Sequence, residues 1–401
     1  MTEAAKKEYA MAEVTEDPVR ESDVSLDGTY LTRGHTSLIG VCVCIGCDTG
    51  KVLDADTLSK SGKSCDYWNT QDPTSERYQK WQRDHVAVCT RTHEGSSGSM
   101  ESRIAVDIFS RSVEQFQLRY TRFIGDGDVN SFKKVCDSKP YGDVKIVKIE
   151  CVGHVQKRMG TRLRNLKNSK GRKLEDDKTI GGRGRLTDDQ IGKIQQYYGN
   201  AIRDNKGDLV KMREAVWAVY FHKRSTDDNP THNFCGEWCP YIKAQNANTL
   251  DQYKHKGGLP VAVMDVIKPI FKDLAKTELL SRCLDGYTQN ANESTNNLIW
   301  KYCPKTKMHG LTVVRTAVAL AVCIYNDGAG RIKDILEAMD ISPGPFTLEF
   351  LADKDTQRIV SAQRQAKMSS KEFRRAQRLR RLGREEELVA VEGVPYMAGG
   401  Y

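Results

Sequence analysis

The chain has 401 residues, 39% hydrophobic and 29% charged, a composition typical of a globular protein with room for two or three domains. No apolar run is long enough to span a membrane, and the first residues lack the apolar stretch of a secretion signal. We therefore expect a reducing compartment, where the twelve cysteines are buried thiols, metal ligands or site residues rather than disulfides.

The first predicted elements are three strands. Residues 1–22 are polar and are predicted to be a disordered N-terminal segment. A short strand pattern then ends at Gly28, and two β-rich runs over 37–45 and 51–58 are joined by a turn that ends at Gly50. An Asp-x-Gly turn between apolar runs predicts a hairpin, so the three strands are expected to be antiparallel.

Helices and strands alternate in the next part of the chain. A polar loop with Cys and His over 59–94 precedes a helix over 100–117, whose apolar residues have helical spacing. Strands over 118–124 and 144–151 follow, separated by a loop, and a basic helix runs from 152 to 168. Three strands followed by alternating α and β match the layout of the RNase H-like fold, a mixed sheet with helices on both faces.

The predicted organisation is one core that is interrupted once. The strand signal disappears after residue 168, and a capping box that begins at Thr187 opens the first of several helices. The predicted fold class is therefore α/β, with an RNase H-like mixed-sheet core, a large all-α insertion and a long C-terminal helix over 354–387. The expected segments after the N-terminus are 23–155 for the first part of the core, 156–286 for the helical insertion, 287–345 for the closing helices of the core, and 346–401 for the basic C-terminal helix and tail.

Two acids end predicted core strands: Asp27 in Leu-Asp-Gly and Asp126 in Ile-Gly-Asp-Gly. These strands are neighbours in an RNase H-like sheet, so the carboxylates would face each other, and a hard divalent cation would relieve their repulsion. Glu293, at the start of a later helix, is the candidate third acid, and Asp128 competes with Asp126. The alternative is that the Asp-Gly pairs only form turns.

Such a site suits phosphodiester chemistry. Two metal ions can activate the attacking oxygen and stabilise the leaving oxygen of an in-line displacement at phosphorus. Oxygen ligands favour Mg²⁺ or Mn²⁺. The same centre could use water or a DNA 3′-hydroxyl as the nucleophile, so it could both cut and join DNA.

Several segments together resemble the Mutator-like transposase domain of animal genomes. They cover nearly the whole chain from about residue 24, and they are DGTYLTRGHTSLIGVCVCIGCDTGKVLD, GSSGSME, LRYTRFIGDGDVNSF, KIECVGHVQKRMGTRLRNL, GGRGRLTDDQIGKIQQYYGNAIRDN, NESTNNLIW and GVPYMAGGY. The resemblance implies a DDE transposase with catalytic Asp27, Asp126 and Glu293. It also implies a Cys-x-x-His pair beside the metal site, here Cys151 and His154, whose alternative is a buried thiol and a helix-start histidine.

Two groups of Cys and His are candidate zinc sites. The resemblance implies Cys-x-x-Cys followed by His-x-x-x-Cys between the third strand and the GSSG loop. Cys65, His85 and Cys89 fit this pattern, but Gly62 replaces the first cysteine and offers no ligand. The second group is His232, Cys235 and Cys239, with His222 as a possible fourth ligand; a loop held by packing of Trp238 is the alternative.

The positive charge is concentrated, which indicates a polyanion-binding surface. The formal net charge is +9, and residues 155–185 hold eleven Lys and Arg against three acids, whereas 364–384 hold nine against one. Solvated helix faces are the alternative, and the C-terminal cluster could also be a nuclear localisation signal. The candidate DNA-binding residues are Lys157, Arg158, Arg162, Arg164, Lys167, Arg183, Arg185, Arg374, Arg375 and Arg378.

The sequence thus predicts a nuclear, metal-dependent transposase that cleaves and transfers double-stranded DNA, assembles as a homo-oligomer on it, and does not contact membranes. The alternative is a domesticated or decayed transposase that binds DNA or chromatin without catalysis, which Gly62 and the short stretch before Asp27 favour. An RNase H-type RNA nuclease is a third interpretation, which the helical insertion and the Cys-x-x-His pair disfavour.

Overall fold

The structure is a computed structural model. It describes residues 1–370 except 15–16, 33–35, 127–128, 170, 172 and 256, together with Phe373, Ala376, Gln377 and Arg380. By contacts it divides into two units, Met1–Val322 and Cys323–Tyr401. The predicted sites at Asp128, Arg374, Arg375 and Arg378, and the C-terminal tail, lie outside the described residues.

A five-stranded mixed sheet forms the centre of the first unit. Its strands are β1 (Arg20–Tyr30), β2 (Ile39–Gly46), β3 (Val52–Ser59), β4 (Leu118–Gly125) and β5 (Val147–Glu150), in the order β3-β2-β1-β4-β5. The three N-terminal strands are antiparallel, as predicted, whereas β4 lies parallel to β1 and β5 parallel to β4. The expected α/β class with a mixed sheet is therefore confirmed.

The N-terminal segment is a correction to the sequence analysis. Instead of being disordered, residues Thr2–Met11 form helix α1, and β1 already begins at Arg20. The carboxylate of Glu8 is buried and accepts hydrogen bonds from the Thr49 backbone N–H, at 3.0 Å, and the Ser22 hydroxyl, at 2.9 Å. Because its partners come from the β2–β3 turn and from β1, the segment is fixed by tertiary contacts that local composition does not predict.

Three helices lie between β3 and β4: α2 (Lys63–Trp68), α3 (Glu76–His85) and α4 (Ser97–Phe116). A fourth helix, α5 (Val129–Ser138), lies between β4 and β5. A short 3₁₀ turn, Val86–Val88, follows α3. The Ser96 hydroxyl accepts from the Ser99 N–H and caps α4. Ile104, Ile108 and Phe109 of α4 join the core of the sheet. The loop expected between β4 and β5 contains α5, which is another correction.

A second hydrophobic core is formed mainly by the helices α6 (Val152–Ser169), α7 (Asp188–Arg203), α8 (Leu209–Arg224), α10 (Val261–Leu274) and α11 (Thr277–Ser281), together with loop residues such as Leu186 and Leu259. Helix α9 (Pro240–Asn246) and a 3₁₀ turn at Leu250–Gln252 lie between α8 and α10 in the chain and contribute no buried residue to it. The Thr187 hydroxyl accepts from the Gln190 N–H, so the predicted helix start is confirmed. Ile194, Tyr198 and Phe271 are fully buried within this core. The helices α7 and α8 thus both contribute buried side chains to this core.

The remaining helices are α12 (Asn290–Tyr302), α13 (Leu311–Asp327), α14 (Arg331–Ala338) and α15 (Pro345–Ser369). Helix α12 packs against β1 and β2. In the second unit, the carboxylate of Asp355 accepts from the backbone N–H groups of Ala329, at 2.8 Å, and Gly330, at 2.9 Å. The helix α15 begins earlier than the predicted start at 354, because Pro345 suits the first helical turn. Among the described residues, none of the helices combines the length and apolar character that crossing a bilayer requires.

Candidate active site

Alternate residues of β1 face α12 and form a ladder of polar contacts. The Ser25 hydroxyl donates to Asn292 Oδ1 at 2.6 Å, and the Trp300 indole N–H donates to Thr29 Oγ1 at 2.8 Å. Between these contacts, the Asn296 amide donates to a carboxylate oxygen of Asp27 at 2.7 Å. Two residues of a strand span about 6.6 Å along its axis, and four residues of a helix span about 6 Å. Every second residue of β1 can therefore contact every fourth residue of α12. This match sets the position of the Asp27 carboxylate.

The Asp27 carboxylate is mostly buried and stands among other acids. Burial, the negative charge of Asp126 and that of Glu293 together raise the pKa of Asp27 to about 6, against the opposing effects of His154 and the Asn296 hydrogen bond. Three acids from distant parts of the chain therefore lie close enough to affect one another electrostatically. Such a group gains from a cation that neutralises it.

Strand register explains why Asp27 and Asp126 are neighbours. Parallel β1 and β4 pair Ser25 with Ile124, and each acid comes two residues further along its strand. Asp126 follows the last residue of β4 and is exposed. The competing acid, Asp128, lies outside the described residues, so the structure does not decide between the two.

Glu293 stands in the first turn of α12 and is exposed. Its Oε1 lies 3.5 Å from the ammonium nitrogen of Lys157, whose side chain is also exposed. In the described part of the chain, the three acids are not among the groups whose ligand atoms all lie within 4.8 Å of one another. Carboxylate oxygens are the donors that a hard divalent cation prefers, and the exposed side chain of Glu293 can rotate, which changes its distance to Asp27.

Cys151 and His154 stand beside this acidic group. Burial opposes ionisation of the Cys151 thiol, yet hydrogen bonds with His154 and the Gln289 N–H outweigh it and lower the pKa of Cys151. The hydrogen bond with Cys151 in turn raises the pKa of His154, and the charge of Asp126 adds to this effect. Both shifts act toward the charged forms of the two side chains. The predicted position of the pair, where β5 meets α6, is confirmed.

A surface pocket of about 430 Å³ adjoins Asp126. Its charged lining includes Glu150, Arg158 and Arg282. Glu150 is buried and accepts from Arg158 at 2.6 Å, while Arg282 lies 4.0 Å from its other oxygen. Arg158, predicted to bind DNA phosphate, thus already has an internal carboxylate partner.

The basic residues of α6 and the following loop differ in exposure. Arg162 pairs with Asp273 at 2.9 Å and Lys167 with Asp188 at 3.1 Å. Arg185 is buried and donates to Asp176, which corrects its predicted contact with DNA: the guanidinium holds its own loop together. Among the predicted DNA-binding residues that the structure describes, Arg164 and Arg183 are exposed and have no ion pair.

The first Cys/His group has three possible ligands. Cys65 Sγ lies 3.0 Å from His85 Nε2 and 3.4 Å from Cys89 Sγ. The ring of Trp81 stacks on His85 with centroids 4.7 Å apart. A Cβ at Gly62 would stand 3.0 Å from Cys65 Sγ, so the side chain that the family pattern expects would point to this group.

The second group has four possible ligands within 4.8 Å of one another: His222, His232, Cys235 and Cys239. Cys239 Sγ lies 3.5 Å from Nδ1 of His222 and 3.4 Å from Nδ1 of His232. Cys235 Sγ lies 3.9 Å and 3.7 Å from the same two atoms. Trp238 is 57% exposed, so a loop held mainly by its packing is not what the structure contains.

Several residues at the site were missed by the sequence analysis. Asn296 hydrogen-bonds Asp27, and the Gln289 side chain donates to the Leu26 carbonyl at 2.9 Å. Asn296 follows Glu293 by three residues, the spacing of helical neighbours, so this signal was present. Glu150 ends β5 one residue before Cys151, but nothing in its sequence surroundings indicates burial.

The mixed sheet places the chain in the α/β class, with Asp27 inside β1, Asp126 directly after β4 and Glu293 at the start of α12. Residues 1–239 match the Mutator-like transposase family, and the chain belongs to this family. Membership indicates an enzyme of the nuclease or transferase type that acts on DNA. A comparison with curated proteins and another with solved structures each gave no match.

Proposed function

We propose that this chain is the catalytic part of a DDE-type DNA transposase. Its core would be RNase H-like, formed by 23–155 and 287–345 and interrupted by the helices of 156–286. The strand order β3-β2-β1-β4-β5, with β1 antiparallel to β2 and parallel to β4, supports this proposal.

The observation that carries the proposal is the coupling of the three acids. Asp27, Asp126 and Glu293 come from β1, the end of β4 and the start of α12, yet both other acids raise the pKa of Asp27. Structural acids are normally paired with bases or exposed singly, whereas mutually repelling carboxylates cluster at functional sites. We therefore assign these three residues as ligands for two Mg²⁺ or Mn²⁺ ions.

Each residue has a defined part in this chemistry. The bound ions would activate the attacking oxygen and stabilise the leaving oxygen at phosphorus. Asn296 orients Asp27 through its hydrogen bond. Cys151 and His154 adjoin the acids and would position a DNA phosphate. Water or a DNA 3′-hydroxyl attacks phosphorus, the P–O3′ bond breaks, and the departing oxygen takes up a proton.

DNA would approach along exposed basic residues of α6 and the loop after it, with Arg164 and Arg183 as the phosphate contacts that have no ion pair among the described residues. The C-terminal cluster with Arg374, Arg375 and Arg378 is proposed as a further contact or a nuclear localisation signal. We also propose a nuclear location and assembly of several copies on double-stranded transposon ends.

Nicking of supercoiled plasmid DNA tests the catalytic proposal. The chain is expected to nick with Mg²⁺ or Mn²⁺, and Asp27→Asn or Glu293→Gln should lower the rate more than about 100-fold, because even an outer-shell partner of a metal site contributes 10- to 100-fold. Glu214→Gln, at an exposed acid of α8, is the matched control and should leave nicking unchanged.

Nicking that persists in both ligand variants would contradict the proposal. DNA binding without any metal-dependent nicking in the parent chain would favour the second candidate, a domesticated transposase that binds DNA or chromatin. Gly62, which removes one expected ligand from the first Cys/His group, is the observation that favours this candidate.

A further inference from the structure

The segment between α8 and α10 has almost no apolar core. Within residues 226–258, apart from 256, Cys239 is the one buried residue. Helix α9 and the 3₁₀ turn at Leu250–Gln252 bury no residue at all. A stretch of this length cannot offset its conformational entropy by burial alone, so another kind of cross-link must hold it in one conformation.

The second Cys/His group lies where such a cross-link is needed. His222 belongs to α8, whose Val219 and Tyr220 are part of the helical core, whereas His232, Cys235 and Cys239 belong to the segment itself. A metal ion held by all four would therefore join the segment to a rigid helix. It would also close a loop from the C-terminal end of α8 to the start of α9.

The distances fit tetrahedral coordination. Zinc bonds of about 2.3 Å to sulfur and about 2.0–2.1 Å to nitrogen place the ligand atoms about 3.5 Å apart. The four sulfur–nitrogen distances are 3.4, 3.5, 3.7 and 3.9 Å. Two thiolates and two imidazoles are a donor set that selects zinc over magnesium, and four protein donors leave no open position for catalysis.

The surroundings of His232 orient it as a ligand through Nδ1. Its Nε2 lies 3.0 Å from Ser225 Oγ and 2.9 Å from Nε2 of His255. Nδ1 of His255 lies 2.8 Å from a carboxylate oxygen of Asp227. If His255 donates to Asp227 and His232 carries its proton on Nε2, the Nδ1 lone pair of His232 points to the thiols. Metal-binding histidines commonly have such an outer partner.

We propose that His222, His232, Cys235 and Cys239 form a structural zinc site that keeps residues 226–258 folded against α8. His255 and Asp227 are positioning residues for His232. The site is separate from the acidic group at Asp27 and does not depend on the catalytic proposal.

Zinc content of the full chain tests this proposal. Because Cys65, His85 and Cys89 could bind a second ion, the difference between variants is the informative quantity. Cys235→Ser with Cys239→Ser should lose one equivalent of zinc relative to the parent chain. The matched control is Cys136→Ser in α5, outside both groups, which should lose none.

A second measurement covers the case in which the double variant does not fold. In a Cys65→Ser, Cys89→Ser background, Co²⁺ should give the visible absorption of a tetrahedral site with two thiolates, and zinc should displace it. In the same background, His255→Ala should weaken zinc binding about 10- to 100-fold.

Two results would overturn the proposal. One is zinc content that Cys235→Ser with Cys239→Ser leaves unchanged. The other concerns the Cys65→Ser, Cys89→Ser variant. It is the absence of tetrahedral Co²⁺ absorption together with a 226–258 segment that resists proteolysis equally with and without a chelator.

Discussion

The acidic group and the second Cys/His group are built in opposite ways. Asp27, Asp126 and Glu293 lie far apart in the sequence, and the sheet and α12 bring them together. His222, His232, Cys235 and Cys239 lie within one short stretch, and their ligand atoms are within 4.8 Å of one another. The first group depends on a folded core for its geometry, whereas the second supplies order to a segment that lacks a core.

Metal binding at the two groups should therefore change different properties of the protein. A cation at the acids relieves repulsion that the fold already tolerates, so its binding should change activity and local pKa values. Zinc at the Cys and His residues would contribute to folding itself, so its removal should change stability and protease resistance. The following predictions test this contrast.

Replacing Asp27 should stabilise the chain in the absence of divalent cations. The pKa of Asp27 is raised from 3.8 to about 6, so the native state binds more protons than the unfolded state in this range. The carboxyl group of Asp27 therefore contributes its full stabilisation at pH values below its pKa in the unfolded state. This contribution is lost as pH rises through its pKa in the native state. At pH 8, Asp27→Asn should raise the free energy of unfolding by about 3 kcal/mol.

Urea unfolding at pH 8 and at pH 4 measures this effect. The gain should shrink at pH 4, where the carboxyl group of Asp27 is protonated, and Mg²⁺ should stabilise the parent chain but not the variant. If Asp27→Asn were less stable than the parent chain at pH 8, the ionised carboxylate of Asp27 would not destabilise the folded state.

Replacing Asn296 should weaken nicking without removing a ligand. The hydrogen bond from Asn296 lowers the pKa of Asp27, so Asn296→Ala should move the acidic limb of the pH–rate profile to higher pH. The rate of nicking should fall about 10- to 100-fold, the usual contribution of a residue that orients a ligand.

The neighbouring Asn297 offers a matched control, because it is exposed on the same helix. Asn297→Ala should keep both the rate and the pH profile of the parent. Equal losses in the two variants, or an unshifted acidic limb in Asn296→Ala, would mean that α12 only supports the fold.

Gly62→Cys should complete the first Cys/His group. A Cβ at Gly62 would stand 3.0 Å from Cys65 Sγ, so a thiolate on this residue should tighten zinc binding there by at least about tenfold, the lower limit for even an outer-shell partner. Competition with a chromogenic chelator measures this change. Gly62→Ser, which adds a similar volume without a thiolate, should not tighten binding; equal affinities of the two variants would place residue 62 outside the group.

Local features of the sequence were predicted well. The hairpin around Gly50 and the cap at Thr187 both follow from residues within a few positions of one another, whereas the pair of Cys151 and His154 was indicated by the family resemblance. The sequence analysis also named His222 as a possible fourth ligand, and its Nδ1 lies 3.5 Å from Cys239 Sγ.

Features that depend on distant partners were not predicted. Glu8 orders the N-terminal segment because its carboxylate meets the β2–β3 turn, and Arg185 is buried because Asp176 faces it. The burial of Glu150 depends in the same way on Arg158 and Arg282. Composition predicts a loose segment, a DNA contact and an ordinary strand residue at these positions, because charge alone does not reveal a partner elsewhere in the fold.

Cleavage of the polypeptide by bound iron tests most directly whether the three acids share metal ions. Fe²⁺ bound in place of Mg²⁺ reacts with added hydrogen peroxide to give Fe³⁺, hydroxide and a hydroxyl radical that cuts the nearest backbone, and added ascorbate reduces Fe³⁺ back to Fe²⁺. If the three acids share metal ions, cuts should appear near residues 27, 126 and 293 together, should be suppressed by excess Mg²⁺ and should be absent in Asp27→Asn. Cuts near only one of these positions, or cuts that Mg²⁺ does not suppress, would contradict this sharing of metal ions.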